Sequence, residues 1–314
     1  MNRNLNNAIS IYSDLFKKYG LFRGIIKLIY LTLILIKRNS IWNILRLKKS
    51  VIKDIRGNKM LLDFRGVGFD ISSSSIIKQL ALDGAREVEA TNIMEQILQE
   101  GQNVLDIGAN IGYYVLIEAK AIKGKGKVYA IEPEPKNLAI LKKNIYLNNY
   151  ADVVELFPLA ISDKEGKVRL DISAFSNRHI LSSSDKSNNA IEVSSTTIDL
   201  FLRNRQKPDI IRMDIEGAEY LAINGAKNTL SGSKNLKLFI EIHPKQIRKL
   251  GGDSEGLLNT LKELNFKIRA VIFYDRNIRS AVGFTKATKP SFEDLINNKS
   301  LLSGAEAFEA FFEK

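Results

Sequence analysis

From residue 101 onward, short apolar runs recur along the chain, each ending in an acid or a turn, and apolar residues return between them every three to four positions. Val104, Leu105 and Ile107 form the first run, residues 127–132 the second, 153–157 the third, 208–214 the fourth and 236–242 the fifth. Such runs suit parallel strands covered on both faces. Helical spacing follows them. Ile111, Tyr114, Val115 and Ala119 come after the first run, Leu138, Leu141 and Ile145 lie within 135–147, and a helix after the fourth run reaches about residue 230. This β-α-β-α-β order predicts an α/β fold that begins as half of a doubly wound sheet, with helices on both faces. Upstream, residues 59–83 read as a short β-rich connector, with Lys59 to Phe64 alternating and serines at 72–75, and residues 85–99 as an amphipathic helix. The alternation breaks over 161–193, where a serine- and asparagine-rich stretch around Arg178 and His179 reads as a loop or a lid over substrate. Residues 266–274 and 278–285 suggest a closing antiparallel pair around Asp275-Arg-Asn277, and 292–312 a final amphipathic helix.

With 314 residues, 45% of them hydrophobic, the chain can bury a substantial core. It has no cysteine, which excludes disulfides, zinc-thiolate sites and thiol nucleophiles. The net charge of +12 suggests a nucleic-acid partner until it is mapped: +10 of it lies in residues 1–58. Three segments follow: a basic, apolar, helical extension over 1–58, the connector and lead-in helix over 59–100, and the catalytic domain over 101–314. Within the extension, the apolar stretch from Gly24 to Ile36 contains Lys27 and is followed by Lys37-Arg38. It is shorter than the roughly 20 residues that span a bilayer, and a secretory signal would have small residues where Lys37-Arg38 stands. Two readings remain. The helix lies in an anionic interface at the inner membrane face, or it is a cap packed on the catalytic domain or on a second copy in a homodimer. Either suits a cytoplasmic protein.

The chemistry begins at Asn103-Val-Leu-Asp-Ile-Gly-Ala-Asn-Ile-Gly-Tyr-Tyr114, a strand, a glycine turn and a helix start. Gly108 and Gly112 let the backbone turn tightly and approach a ligand. A dinucleotide site would read G-x-G-x-x-G to receive a pyrophosphate. This turn reads D-x-G-x-N-x-G and suits a cationic, amine-bearing ligand, with Asp106 accepting from an ammonium and Asn110 both donating and accepting. S-adenosylmethionine is such a ligand. Glu132 ends the second strand 20 residues beyond Gly112, where a carboxylate can accept both ribose hydroxyls of an adenosine. At the opposite end, Asp214 and Glu241 fall at the carboxyl ends of neighbouring strands, with Glu216, Glu219 and His243 within reach. Asp214, Glu241 or His243 could take a proton from a hydroxyl acceptor or hold the group that does, and crowded carboxylates raise one pKa. The same oxygen-rich set could bind a divalent cation, but such clusters are commonly hydrogen-bonded without one, so no metal is expected.

These residues resemble the FkbM-type family of S-adenosylmethionine-dependent methyltransferases. The resemblance rests on Gly84-Ala-Arg-Glu-Val-Glu89, Asp106 to Tyr114, Ile131-Glu-Pro-Glu-Pro135, Asn144-Ile-Tyr-Leu-Asn148, Ala160-Ile-Ser162, Met213-Asp-Ile-Glu-Gly-Ala-Glu219 and Glu241-Ile-His-Pro244. The turn after the fourth strand, with Glu-x-His-Pro after the fifth, is its more specific part. The resemblance implies a class I methyltransferase fold with a seven-stranded, mostly parallel sheet. It also implies O-methylation, frequently of sugar, glycan or natural-product hydroxyls. By that analogy Asp106, Gly108, Asn110 and Glu132 bind cofactor and Ala160 and Ile161 neighbour the adenine; Gly112 and Tyr113 of the same turn are placed with the cofactor set, and the strand-end residues Asp214, Glu216, Glu241 and His243 form the candidate catalytic set. Arg212 departs from the family's lysine before the turn. A tRNA methyltransferase is the nearest rival, but a flipped base would want a proline and an aromatic where Asp214-Ile-Glu-Gly217 supplies acids, so nucleic acid is not favoured. An adaptor that kept the fold and lost the chemistry is the other alternative.

Overall fold

The structure, a computed structural model, describes residues 21–65, 76–173, 179–182, 185, 187–273, 287–304 and 307–314. A helix over Leu21–Leu47 leads into an antiparallel hairpin of β1 (Ser50–Ile55) and β2 (Asn58–Asp63). The hairpin runs across the charge-based boundary after residue 58, which falls one residue into β2. The parallel core follows as β3 (Val104–Ile107), β4 (Val128–Ile131) and β5 (Val154–Phe157). A second, four-stranded sheet is built from β6 (Ala160–Ile161), β7 (Gly166–Asp171), β8 (His179–Ile180) and β9 (Ala190–Thr196), in the order β6-β9-β7-β8. The main sheet resumes with β10 (Ile210–Met213), β11 (Lys237–Ile242), β12 (Lys267–Phe273), β13 (Ala287–Thr288) and β14 (Phe308–Glu313). Its order is β13-β12-β14-β11-β10-β3-β4-β5. Neighbours from β11 to β5 pair in parallel, and β14 runs antiparallel between β11 and β12.

The central strands β3, β4 and β10 are buried on both faces, as their continuous apolar runs require, while the edge strand β5 exposes Glu155. Side chains alternate across the sheet. Val104, Val128 and Ala130 therefore join one core, and Leu105, Ile107, Tyr129 and Ile131 the other. Helices Val88–Ile97, Tyr113–Ala121 and Pro135–Leu147 cover the first face, and Ile198–Leu202, Glu219–Asn224 and Ser254–Glu263 the second. Local chemistry sets the helix starts. Pro135 occupies the first turn of its helix, and the Glu134 side chain accepts from Asn137 N at 2.6 Å.

Three expectations are corrected. The final helix over 292–312 is instead two short helices, Phe292–Asn297 and Lys299–Ser303, followed by β14. Phe308, Phe311 and Phe312 satisfy helical spacing, yet an inserted central strand buries both faces, and the periodicity of so short an apolar run cannot separate the two. Phe311 stacks on Phe239 with centroids 4.2 Å apart. The loop over 161–193 is largely the second sheet. Its strands are short and half-exposed, so they lack the apolar runs of the main sheet. The sheet expected to have seven strands has eight, because the two-residue β13 is added at its edge beyond β12. The serine run 72–75, Arg178 and the expected strand 278–285 lie outside the described residues.

Candidate active site

The site lies across the carboxyl ends of β3, β4 and β10. Gly108, leaving β3, has φ 83°, and a Cβ there would stand 1.9 Å from the Asp214 carbonyl oxygen. Only glycine lets the two strand ends pass so closely. Asn110 turns through φ 51°, and its amide donates to Glu132 Oε2 at 2.8 Å. Glu134 N donates to Oε1 of the same carboxylate at 2.9 Å, which fixes Glu132 at the end of β4. Between these turns opens a cleft of about 680 Å³, its mouth included. Leu159, Ala160, Ile161, Leu170 and Ile180 make part of its lining apolar, and Glu132, Arg86, Asn110, Asp214 and Glu216, with Gly108 among them, make a polar end.

Behind the polar end lies a chain of acids around one imidazole. His243 is 5% exposed. Its Nδ1 is 2.9 Å from Glu219 Oε1, and its Nε2 is 3.4 Å from Glu216 Oε2 and 3.6 Å from Glu241 Oε1. Burial works against its charge, but Glu219, Glu241 and Glu216 more than restore it, so His243 holds its proton well above the ordinary range. Burial, aided by Asp214 and Glu219, pushes Glu216 up to about 7. Burial with Asp214 and Glu87 pushes Glu241 up to about 8. For Asp214, burial is outweighed by Arg212, Arg86 and His243, which hold its carboxyl below the usual range. The turn carrying Glu216 is strained at φ 52°, and a Cβ on the following Gly217 would meet Gln246 Cβ at 2.4 Å. Asp214, Glu216 and His243 bring three ligand atoms within 4.8 Å of one another, as do Glu87, Glu241 and Glu309.

The structure brings Gly108, Asn110, Glu132, Ala160, Ile161, Asp214 and Glu216 onto one cleft wall, with Glu241 and His243 directly behind. Three expected cofactor residues stand elsewhere. Asp106 is fully buried on the face opposite Leu105 and Ile107, where its register partner Arg212 donates to it from Nη1 at 2.8 Å. A strand's last acid reaches the crevice only when the pleat points it there, and this one points beneath the helix Tyr113–Ala121. Gly112 makes room for Leu141, whose Cδ1 would lie 2.5 Å from a Cβ. The Tyr113 hydroxyl donates to Arg86 O at 3.1 Å and accepts from Arg86 N at 3.3 Å. Sequence reasoning assigned no role to Arg86, Glu87 or Glu309. The first two sit in the Gly84 to Glu89 lead-in, and Glu309 was hidden in the misread helix.

A mostly parallel sheet of this order, with a glycine turn after β3, an acid ending β4 and a cleft across their carboxyl edges, defines a class I S-adenosylmethionine-dependent methyltransferase. Residues 106–268, just over half of the chain, match the Methyltransferase FkbM domain, and the protein belongs to that family. The donor set suits the cofactor: an apolar slot for a purine, a carboxylate for a ribose diol and a polar end for an amino-acid tail. A protein-L-isoaspartate O-methyltransferase of Aeropyrum pernix is 26% identical over 99 residues, 30% of this chain and 36% of that relative, so the match spans about a third of its length. Among solved structures, an FkbM methyltransferase of Methylobacillus flagellatus KT is 19% identical with a TM-score of 0.40, covering 67% of this chain and 43% of its own. A protein described as an rRNA methylase of Clostridium thermocellum is 11% identical with a TM-score of 0.43, covering 72% and 94%. Neither overlap is close enough to transfer an acceptor.

Proposed function

We propose that the protein O-methylates a hydroxyl of a glycan, sugar or natural-product acceptor. The observation that carries this reading is the line Glu219 to His243 to Glu216, which ends at the cleft in a carboxylate with a pKa of about 7. Bound in the cleft, S-adenosylmethionine supplies an electrophilic methyl group. Methylating a neutral hydroxyl also requires a proton acceptor, and a base poised near neutrality serves best. Glu216 takes that proton, His243 and Glu219 hold Glu216 in place, and Glu241 shares the load behind them. Asp214, kept ionised by Arg212 and Arg86, frames the acceptor side, while Gly108, Asn110, Glu132, Ala160 and Ile161 hold cofactor. Asp106 acts through Arg212, which it orients. Away from Arg86, the carboxylates of Asp214 and Glu87, joined by Glu216 and Glu241 once these have lost their protons, repel an anionic acceptor, which disfavours a nucleic-acid backbone or a protein carboxylate there. No divalent cation is proposed, because Arg86, Arg212 and His243 already stand as partners to these acids.

The test is transfer of radiolabelled methyl from S-adenosylmethionine to separated glycan, RNA and protein fractions, followed by mild base. A methyl ether in the glycan fraction survives base and supports the reading. Label in RNA, or base-labile label on protein, overturns it.

The amino-terminal helix supports a second element of the proposal, contact with an anionic membrane surface. Ile25, Ile26, Ile29, Tyr30, Leu33 and Ile36 are all exposed, and at 100° per residue they fall within an arc of about 140°. The surrounding charge of +10 over residues 1–58 complements acidic lipid. Among the described residues no helix is long and apolar enough to cross a membrane.

A further inference from the structure

A cofactor with an amino-acid tail brings a carboxylate into the polar end of the cleft, where acids already crowd. The turn amides are committed elsewhere. Gly108 N and Ala109 N donate to Ile131 O, Asn110 N to Glu132, Ile111 N to Asn110 Oδ1 and Gly112 N to Ala109 O. The anion cradle that a glycine turn can offer is therefore closed. Arg212 is committed too, its terminal nitrogens donating to Asp106, Gly108 O and Asp214.

Arg86 is the one cationic side chain among the described residues lining the cleft, and it also lines a smaller cavity beside Gly108, Asn110 and Tyr113. Its Nε pairs with Glu87, while its Nη2 stands 3.8 Å from Asp214 Oδ2, beyond hydrogen-bond length. The guanidinium fork thus keeps donors for an incoming carboxylate. Its backbone is held unusually firmly. Tyr113 bonds both its N–H and its C=O, Thr91 Oγ1 donates to Arg86 O at 2.9 Å, and the Tyr114 hydroxyl donates to Glu87 Oε2 at 3.0 Å. Glu87 itself is strained at φ 46°, a conformation that persists only where the surroundings impose it.

We propose that Arg86 binds the α-carboxylate of the cofactor's methionyl tail, and that Tyr113 is its positioning residue. The assignment rests on the cofactor reading of the cleft. It gives Tyr113 a role one step removed from the direct contact expected of it.

The experiment is calorimetric titration of the full-length protein with three ligands: S-adenosylhomocysteine, its decarboxylated analogue S-adenosyl-3-thiopropylamine, and 5′-methylthioadenosine, which lacks the whole tail. In the wild type, losing the carboxylate should weaken binding about 10- to 100-fold, the range for a hydrogen bond to a charged group. Arg86→Gln should weaken S-adenosylhomocysteine by the same factor, leave methylthioadenosine within about twofold, and erase the difference between S-adenosylhomocysteine and its decarboxylated analogue. Arg86→Lys, which keeps the charge and spares the fold, should recover part of the loss, and Tyr113→Phe should fall between. Equal weakening of all three ligands, no weakening of any, or a carboxylate effect that survives in both Arg86 variants overturns the assignment. If the wild type binds neither S-adenosylhomocysteine nor methylthioadenosine, the cofactor reading itself fails.

Discussion

Glu216 stands where strain, burial and the cleft meet, and its chemistry can be separated from its binding. Glu216→Gln keeps the shape and removes the base, so kcat should fall about 100- to 10,000-fold while S-adenosylhomocysteine affinity is unchanged, as steady-state rates and titration would report. The ascending limb of kcat/KM should lie near pH 7 to 8, because the base acts only once Glu216, coupled to Glu241, loses its proton. Stability runs the other way. Glu216 has a folded pKa above its unfolded value of 4.5, so its contribution is full below about pH 4.5 and lost as pH rises through about 7. Glu216→Gln should therefore melt above the wild type at about pH 8.5, with the gap closing near pH 5. Gly108→Ala should cost more than about 2 kcal/mol in chemical denaturation, since it adds both a disfavoured φ and a contact with Asp214 O. At this scale the sequence revealed which residues gather, because strand ends converge whatever their side chains. It did not reveal where each carboxylate points. Asp106 and Glu132 both come from short apolar strands with an acid near the end, yet Asp106 lies inside β3 opposite Ala130 and is buried, whereas Glu132 stands one residue past the end of β4, at the cleft. Arg86 was obscured because its turn reads as helix.

The helix Pro135–Leu147 works as a strut. Asn144 Oδ1 accepts from Leu61 N at 2.6 Å and its Nδ2 donates to Ile111 O at 2.8 Å, while Asn148 bonds both N and O of Lys59. The Asn-Ile-Tyr-Leu-Asn segment therefore ties the hairpin edge β2 and the glycine turn to one helix. Asn144→Ala leaves a buried amide and a carbonyl unpaired and should cost about 1–3 kcal/mol, with a matching fall in melting temperature and weaker cofactor binding. Elements with long, strongly periodic patterns were legible. The helix 135–147 and the parallel strands lie within a residue or two of their expected bounds. The second sheet was not legible, because strands paired across a half-exposed surface carry no apolar run. β14 was not either, because a strand buried on both faces and a buried helix share one composition.

For the whole molecule, the acids already have Arg86, Arg212 and His243 as partners, so chelation with excess EDTA should leave turnover within about twofold. A loss restored by magnesium or manganese would assign the carboxylates to a cation instead. The exposed apolar arc on the amino-terminal helix should carry the protein onto vesicles of phosphatidylglycerol and phosphatidylcholine but not onto phosphatidylcholine alone, read by sedimentation. A chain lacking residues 1–40 retains Trp42, whose ring packs edge-on against Phe64 at 5.5 Å, and should stay folded and active in solution while losing the vesicles. Equal sedimentation of both chains would remove the arm's role. The threading of the sheet also has a consequence in time. Glu309 on β14 sits directly opposite Glu241 on β11, and β12 reaches β11 only through β14. A chain still emerging from the ribosome can assemble β3 to β5 and their cleft wall long before residue 308 appears, but the acceptor side lacks its last wall until then. On the reading proposed above, methyl transfer should therefore begin only after β14 has emerged and taken its place beside β11.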